Sequence, residues 1–297
     1  MRLLLVLGPT ASGKTARAIQ LAQEHHTHII SVDSRQFYSE LDIGVARPTP
    51  EELAAAPHHF IACRSVHDPY NVFTYQQEAL ALLRQLFKEH DTVIAVGGSS
   101  LYIQALTRGI SVLPDPTPEL RASLQQQLKD EGIESLRSML KRLDPDYYAR
   151  VDLANPVRIQ RALEVCLTAG EPYSRIISQS EIRHSEFEIT PVLVERSREE
   201  LRERITARVR QMMAAGLEEE ARSLYPLRQL QPLNTVGYKE FFALWGDAPT
   251  ILTASQRRQV ADSIALNTWH YAKKQLTWLK KAFTTFNIKD PRQSNSF

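Results

Sequence analysis

The chain predicts an α/β fold, a parallel sheet flanked by helices and carrying an all-helical insertion domain, on three observations. Apolar strand-like runs alternate with helical patterns through the first hundred residues, a glycine-rich loop follows the first of those runs, and only helix signals occur from about 115 to 188.

Leu3 to Leu7 is a short continuous apolar run, as expected of a parallel strand buried on both faces. It stops at Gly8 and delivers Gly13, Lys14 and Thr15 in the spacing G-x-x-x-x-G-K-[ST]. Glycines let successive backbone N–H groups turn toward phosphate oxygens, and the next helix offers its positive N-terminus. Lys14 adds charge, and the Thr15 hydroxyl can hold Mg²⁺. Gly8, Pro9, Thr10, Ala11, Ser12, Gly13, Lys14 and Thr15 are therefore candidate polyphosphate contacts, and the sheet is expected to be P-loop NTPase-like. Ala18, Ile19 and Ala22 give the following segment, Thr15 to His25, an apolar side.

A second strand is predicted over His28 to Val32, a helix over Tyr75 to Glu89, and a third strand over Thr92 to Val96. These strands end in polar or glycine clusters: the phosphate loop, Asp33-Ser34-Arg35-Gln36, and Gly97-Gly98-Ser99-Ser100. Ligands of open parallel sheets bind at the carboxyl ends of strands, so the three clusters are expected to share one cleft.

In the insertion, Thr117-Pro118-Glu119 opens a helix with Leu120, Leu124 and Leu128 one turn apart. Asn155-Pro156 opens another, with Ile159 and Leu163 on its apolar side and Gly170 and Pro172 at its end. Ile189 to Glu195 reads as a returning strand, and Ser197 with Glu200 as a capping box. A last helix, about Ala254 to Lys281, is expected to bury Val260, Ile264, Tyr271 and Leu276. The expected domains are 1–114 with 189–297, the catalytic core, and 115–188, the helical insertion.

A hydrophobic content of 43% over 297 residues excludes general disorder. No run approaches a membrane span, and the apolar start leads directly into the phosphate loop without a cleavage region, so a cytoplasmic protein is expected. Cys63 and Cys166 read as buried free thiols without zinc spacing. The net charge of +2 is mild, but Arg196, Arg198, Arg202, Arg204, Arg208 and Arg210 crowd one segment, and Arg257, Arg258, Lys273, Lys274, Lys280 and Lys281 another. Such runs fit either a solvated helix face or a surface that tracks phosphodiesters.

On residue chemistry alone, Asp33 can hold Mg²⁺ through water, accept a proton, or cap a helix. Thr10 can donate to a departing oxygen or only fill the turn. Gly97-Gly98 admits close backbone approach by a ligand or makes a plain turn. The segment Asn234 to Glu240 is either a polar, aromatic and basic binding loop or an ordinary helix connection. A small-molecule P-loop kinase would fit these features, with Lys14 and Mg²⁺ neutralising charge.

The wording of the motifs is narrower. GPTASGKT at 8–15, DSRQ at 33–36, Asp42-Ile43-Gly44 with Arg47-Pro48, His58-His59, Gly97-Gly98 before Leu101-Tyr102, Asn155-Pro156 before Arg158 and Arg161 to Glu164, and Val236 to Glu240 together resemble the bacterial tRNA dimethylallyltransferases from Met1 to about Lys281. The resemblance implies transfer of a dimethylallyl group from dimethylallyl pyrophosphate to N6 of the adenine 3′ of the anticodon, with release of pyrophosphate. It implies that the loop binds the prenyl pyrophosphate rather than ATP, that Asp33 takes or holds the proton of the adenine amine, that Thr10 bonds the bridging oxygen, and that Arg204 reaches pyrophosphate. It also implies contacts to the anticodon stem-loop from Asp33, Ser34, Arg35, Gln36, Ser99, Arg121, Gln160, Arg161, Ala162, Leu163, Glu164, Val236, Gly237, Tyr238 and Lys239, and a monomeric enzyme. An adenylate isopentenyltransferase would use the same donor but need no insertion. Two departures from the family pattern are Ser99-Ser100, where Thr-Gly is common, and Trp269 in place of a basic residue, where altered phosphate contacts are expected.

Overall fold

The computed structural model describes residues 1–179 and 186–285. The parts of the two expected domains at 180–185 and 286–297 lie outside the described residues. The chain forms two compact units, Met1–Arg108 with His184–Phe297, and Gly109–Arg183.

In the first unit, β1 (Arg2–Leu7), β2 (Ile29–Val32), β3 (His58–His59), β4 (Thr92–Gly97) and β5 (Glu188–Leu193) form a parallel sheet in the order β3-β2-β4-β1-β5. The apolar run of β1 is continuous because both faces are covered. Leu3, Leu5 and Leu7 pack with Val32, Tyr75, Leu83 and Ala95, whereas Leu4 and Val6 pack with Ala18, Leu21 and Ile94. The helical partners among these come from α1 (Lys14–Glu24) on one face and α3 (Val72–Leu86) on the other. Register then places the chemistry: Leu7 pairs with Gly97 and Leu193, and Val32 also pairs with Gly97. The residues that follow, Gly8, Asp33, Gly98 and Val194, thus leave the sheet at one edge.

Two helices here are not among those expected: α2 (Pro50–Ala55), 6 residues opened by a Thr49–Glu52 capping box, and α4 (Ser100–Arg108), which starts directly at the turn after β4. β3 has 2 residues, too few for any periodicity. Helix α3 begins earlier than expected because the Asn71 carboxamide oxygen accepts from the N–H groups of Phe73 and Thr74.

The second unit consists of α5 (Pro118–Glu131), α6 (Ile133–Leu143), α7 (Pro145–Tyr148), α8 (Pro156–Ala169) and α9 (Tyr173–Ser178) around Leu124, Leu136, Leu140, Ile159 and Leu163. Thr117 and Asn155 cap α5 and α8, and Gly170, at φ 72°, ends α8. Asp144 is fully buried, and its carboxylate accepts from Tyr147 N, Ser174 N and Ser174 Oγ, joining α7 to α9.

The chain returns to the first unit through β5 to α10 (Arg198–Ala214), α11 (Leu217–Leu224), α12 (Lys239–Trp245) and α13 (Ala254–Thr285). The capping box at α10 is half formed: Ser197 caps Glu200 N, but the Glu200 carboxylate pairs with Arg196 at 3.3 Å. The buried stripe of α13 carries Val260, Ile264, Trp269, Ala272, Gln275 and Leu279, while Tyr271 is 41% exposed. The expected stripe was rotated because it set Tyr271 and Leu276 inward in place of Ala272 and Gln275. Cys166 is buried as expected, but Cys63 is exposed. Among the described residues, no helix is long and apolar enough to cross a membrane.

Candidate active site at the phosphate loop

Residues 8–15 leave β1 and enter α1 with Ala11 at φ 62° and Gly13 at φ 95°, left-handed conformations that aim successive amides into the loop's hollow. A Cβ at Gly8 would meet Val194 O at 2.7 Å and Ser12 Oγ at 2.8 Å. Side chains from far along the chain hold the loop from outside. Arg204 Nε donates to Ala11 O at 2.7 Å, Arg196 Nε to Ser12 O at 3.1 Å, and the N–H of Thr10 to Gln275 Oε1 at 2.8 Å. Two guanidinium groups on loop carbonyls leave amides on the other side for an anion.

Two groups inside the loop signal such an anion. Ser12 Oγ is buried without a hydrogen-bond partner, an arrangement that costs free energy unless a ligand completes it. Lys14 Nζ donates to Pro9 O at 2.6 Å. Burial lowers its pKa to about 8, the Asp33 carboxylate opposes the fall, and the Arg208 guanidinium adds to it. Burial, reinforced by Arg204, also lowers the Arg208 pKa. Burial thus disfavours the charge on both Lys14 and Arg208, and Asp33 at the first and Glu52 at the second only partly offset it.

Asp33 sits at the end of β2, where no helix follows, so it caps none. Its Oδ1 accepts from Arg35 N at 2.9 Å in a tight turn. Ser34 N donates to Ser99 Oγ at 3.0 Å, which ties the turn after β2 to the turn after β4. Tyr271 of α13 lies beside Ser99 and Gln275. Sequence reasoning missed Tyr271 and Gln275 as site residues. A polar Gln275 between apolar positions of a helix was the available signal.

A cleft of about 800 Å³ opens beside Arg208. Ile43, Pro48, Leu53, Ile61 and Met212 make it largely apolar, and Arg208, Asp42 and His58 punctuate it. The His58 Nδ1 is 2.8 Å from Ala56 O, so that nitrogen donates and Nε2 is left as an acceptor; Nε2 is buried and unpartnered.

Other predicted contact residues are placed differently. The Gln36 carboxamide is used at both ends, by Ser31 Oγ at 3.2 Å and Ala46 O at 3.0 Å. Tyr238 is fully buried with its hydroxyl on Glu220 at 2.5 Å, and Gly237, at φ 109°, lies too close to Gly44 O for a Cβ, so only Lys239 of that segment is well exposed. In the second unit, Ala162 and Leu163 are core residues, and their side chains support the surface rather than form it. Glu164, 4% exposed, draws in Gln160 at 3.0 Å, Arg161 at 3.3 Å and Arg121 at 3.6 Å. The arginine run of α10 is divided: Arg204 braces the loop, Arg208 lines the apolar cleft, and Arg202 lies 4.6 Å from the ring centre of Trp269. Trp269 does not replace a phosphate contact in the open, because it packs under the loop with Ala11, Leu201 and Ile205. Arg257 is committed to the buried Glu218 at 2.6 Å.

Residues 36–282 match the family model described as IPP transferase. The chain is 44% identical to tRNA dimethylallyltransferase 2 of Porphyromonas gingivalis, over 95% of this chain and 92% of that one. It is also 44% identical to the tRNA dimethylallyltransferase of Christiangramia forsetii, over 94% and 90%. Among solved structures, the tRNA isopentenylpyrophosphate transferase of Bacillus halodurans superposes with a TM-score of 0.63 at 29% identity, covering 94% of this chain and 86% of that chain. A eukaryotic dimethylallyltransferase acting on tRNA shares the fold, with a TM-score of 0.77 at 22% identity over 94% and 69%.

Proposed function

The chain belongs to the IPP transferase family, and from that we propose a prenyl transfer to tRNA in which dimethylallyl pyrophosphate is the donor and N6 of the adenine 3′ of the anticodon the acceptor. The observation that carries this reading is the phosphate loop with its unpartnered Ser12 hydroxyl and half-buried Lys14 at the sheet edge where Asp33 also emerges.

In this reading the pyrophosphate sits in the loop amides, against Lys14, Arg204 and Ser12 Oγ, and the five-carbon tail lies along the apolar cleft beside Arg208. Breaking the allylic C–O bond puts negative charge on the leaving pyrophosphate, and preorganised cations and N–H groups stabilise that charge where it grows. The Thr10 hydroxyl donates to the bridging oxygen. An exocyclic adenine amine is a weak nucleophile, because its lone pair is delocalised into the ring. Asp33 therefore orients the amine and accepts its proton as the N–C bond forms. The acceptor base leaves its stack to reach Asp33, as bases read from RNA loops do. Arg35, Ser99, Lys239 and, in the helical unit, Arg121, Gln160 and Arg161 supply RNA contacts.

The donor set fits a magnesium ion, since the Thr15 hydroxyl opens α1 and the Asp33 carboxylate is felt at Lys14 inside the loop. Thr15 would bind it directly and Asp33 through water, and the ion would supply further charge neutralisation on pyrophosphate. We further propose that the enzyme works as a cytoplasmic monomer.

The test is incubation with Mg²⁺, labelled dimethylallyl pyrophosphate and unmodified tRNA, with AMP and ATP in parallel. Label on tRNA alone is expected, and Asp33→Ala should lower that transfer by at least about 10²-fold with an unchanged thermal transition. Label on AMP would reassign the acceptor, and phosphoryl transfer from ATP would return the loop to kinase chemistry.

A further inference from the structure

Gln275 lies on α13 with 6% of its surface exposed, and both ends of its carboxamide are used by main chain. Its Oε1 accepts from Thr10 N at 2.8 Å, and its Nε2 donates to Gly98 O at 2.9 Å. Each bond goes to a different turn of the site. Thr10 belongs to the phosphate loop, whereas Gly98 precedes Ser99, whose hydroxyl holds the Ser34 amide next to Asp33. The fit leaves no slack, since a Cβ on Gly98 would lie 2.3 Å from Gln275 Nε2. One turn earlier on the helix, Tyr271 lies beside Ser99 and Gln275.

We propose that Gln275 is a positioning residue for the transfer step, which fixes the separation between the loop that holds the leaving pyrophosphate and the turn that orients the Asp33 carboxylate. The inference rests on the prenyl-transfer reading above. During transfer the C–O bond to pyrophosphate breaks with its electron pair leaving on oxygen, the N6–C bond forms, and the N6 proton passes to Asp33. All three events need the donor carbon and the acceptor nitrogen at one distance, and Gln275 spans the two turns that set it. A carboxamide is suited to this task because it offers one acceptor and one donor from a single planar group. Glutamate keeps the Thr10 bond but turns a second acceptor toward Gly98 O, and methionine fills the space with neither group.

The role predicts a loss in kcat without a matching loss in donor binding. Gln275→Met should lower kcat for tRNA prenylation by about 10²-fold, the scale of an ångström-sized misplacement, while KM for the donor and the calorimetric Kd of inorganic pyrophosphate change by less than about threefold. Gln275→Glu should fall between the parent and Gln275→Met. Gly98→Ala reaches the same contact from the other turn, so the test stands even where Gln275→Met fails to fold. Gly98→Ala should cost about tenfold in kcat when Gln275 is present and much less in a Gln275→Ala background, because two substitutions on one contact do not add. A kcat within about threefold of the parent in Gln275→Met and in Gly98→Ala overturns the proposal. So does a loss confined to pyrophosphate affinity, or losses that multiply in the double variant. Absence of label on tRNA with the parent protein would instead overturn the prenyl-transfer reading, and this proposal with it.

Discussion

The phosphate loop at 8–15 and the segment Val236–Glu240 both read as binding loops in the sequence, yet they keep opposite polar accounts. The phosphate loop leaves Ser12 Oγ buried without a partner and holds Lys14 where burial disfavours its charge. In the other segment nearly every group is answered. Gly237 N donates to Glu240 Oε2 at 2.9 Å, Asn267 Nδ2 to Glu240 Oε1 at 2.7 Å, and Tyr238 OH to Glu220, whose carboxylate also accepts from Asp42 N and Ile43 N. Burial of an unanswered polar group marks a place where a ligand is awaited, and complete pairing marks a joint. Residue types alone do not separate the two, because glycine, lysine and a hydroxyl occur in both.

The comparison breaks most decisively at Lys14. Lys14→Ala should lower tRNA prenylation by about 10²–10³-fold, the scale for losing a preorganised partner of developing charge, with a native circular dichroism spectrum; transfer within a few fold of the parent would remove the loop from the reaction. A pH titration sharpens the same point. Lys14 keeps its proton in the unfolded chain to about 10.5 but in the fold only to about 8, so stability from this group rises as pH climbs between those values. Pyrophosphate favours the charged form. Its affinity, read by calorimetry, should therefore fall by up to about tenfold per pH unit above 8, with proton uptake on binding, and a flat profile would place Lys14 outside the anion site. The smallest effect on rate is expected at the joint. Tyr238→Phe removes a hydrogen bond to a carboxylate and should cost about 1.5–3 kcal/mol in denaturant unfolding while kcat stays near the parent value. A large loss of kcat in a stable protein would make that segment part of the reaction.

The sheet, the phosphate loop and the helix starts at Thr117, Asn155 and Ser197 were readable from sequence because each depends on neighbours within a few residues. What escaped depends on partners far away. The assignment of Tyr271 to the core failed because helical periodicity cannot say which of two adjacent stripes meets the loop, and Trp269, Ala272 and Gln275 took the inner one. Tyr238 was misplaced for a similar reason: an aromatic in a polar loop looks exposed until Gly44 supplies the space that its ring fills. β3 carries too few residues for any pattern. Asp33 and the loop stand out in the sequence by their chemistry, whereas the side chains that hold them in place are visible only in three dimensions.

The bonds that brace the phosphate loop also order its assembly in time. Its own residues are made well before the side chains that brace them: Arg196 and Arg204 lie 184 and 193 positions downstream of their carbonyl partners, and Gln275 lies 265 beyond Thr10. Contacts of such long range form late, since loop closure must be met before they are rewarded. The nascent chain therefore carries its most recognisable motif without the braces that shape it until those later segments are made, and anion affinity should arise only once α13 has emerged and docked.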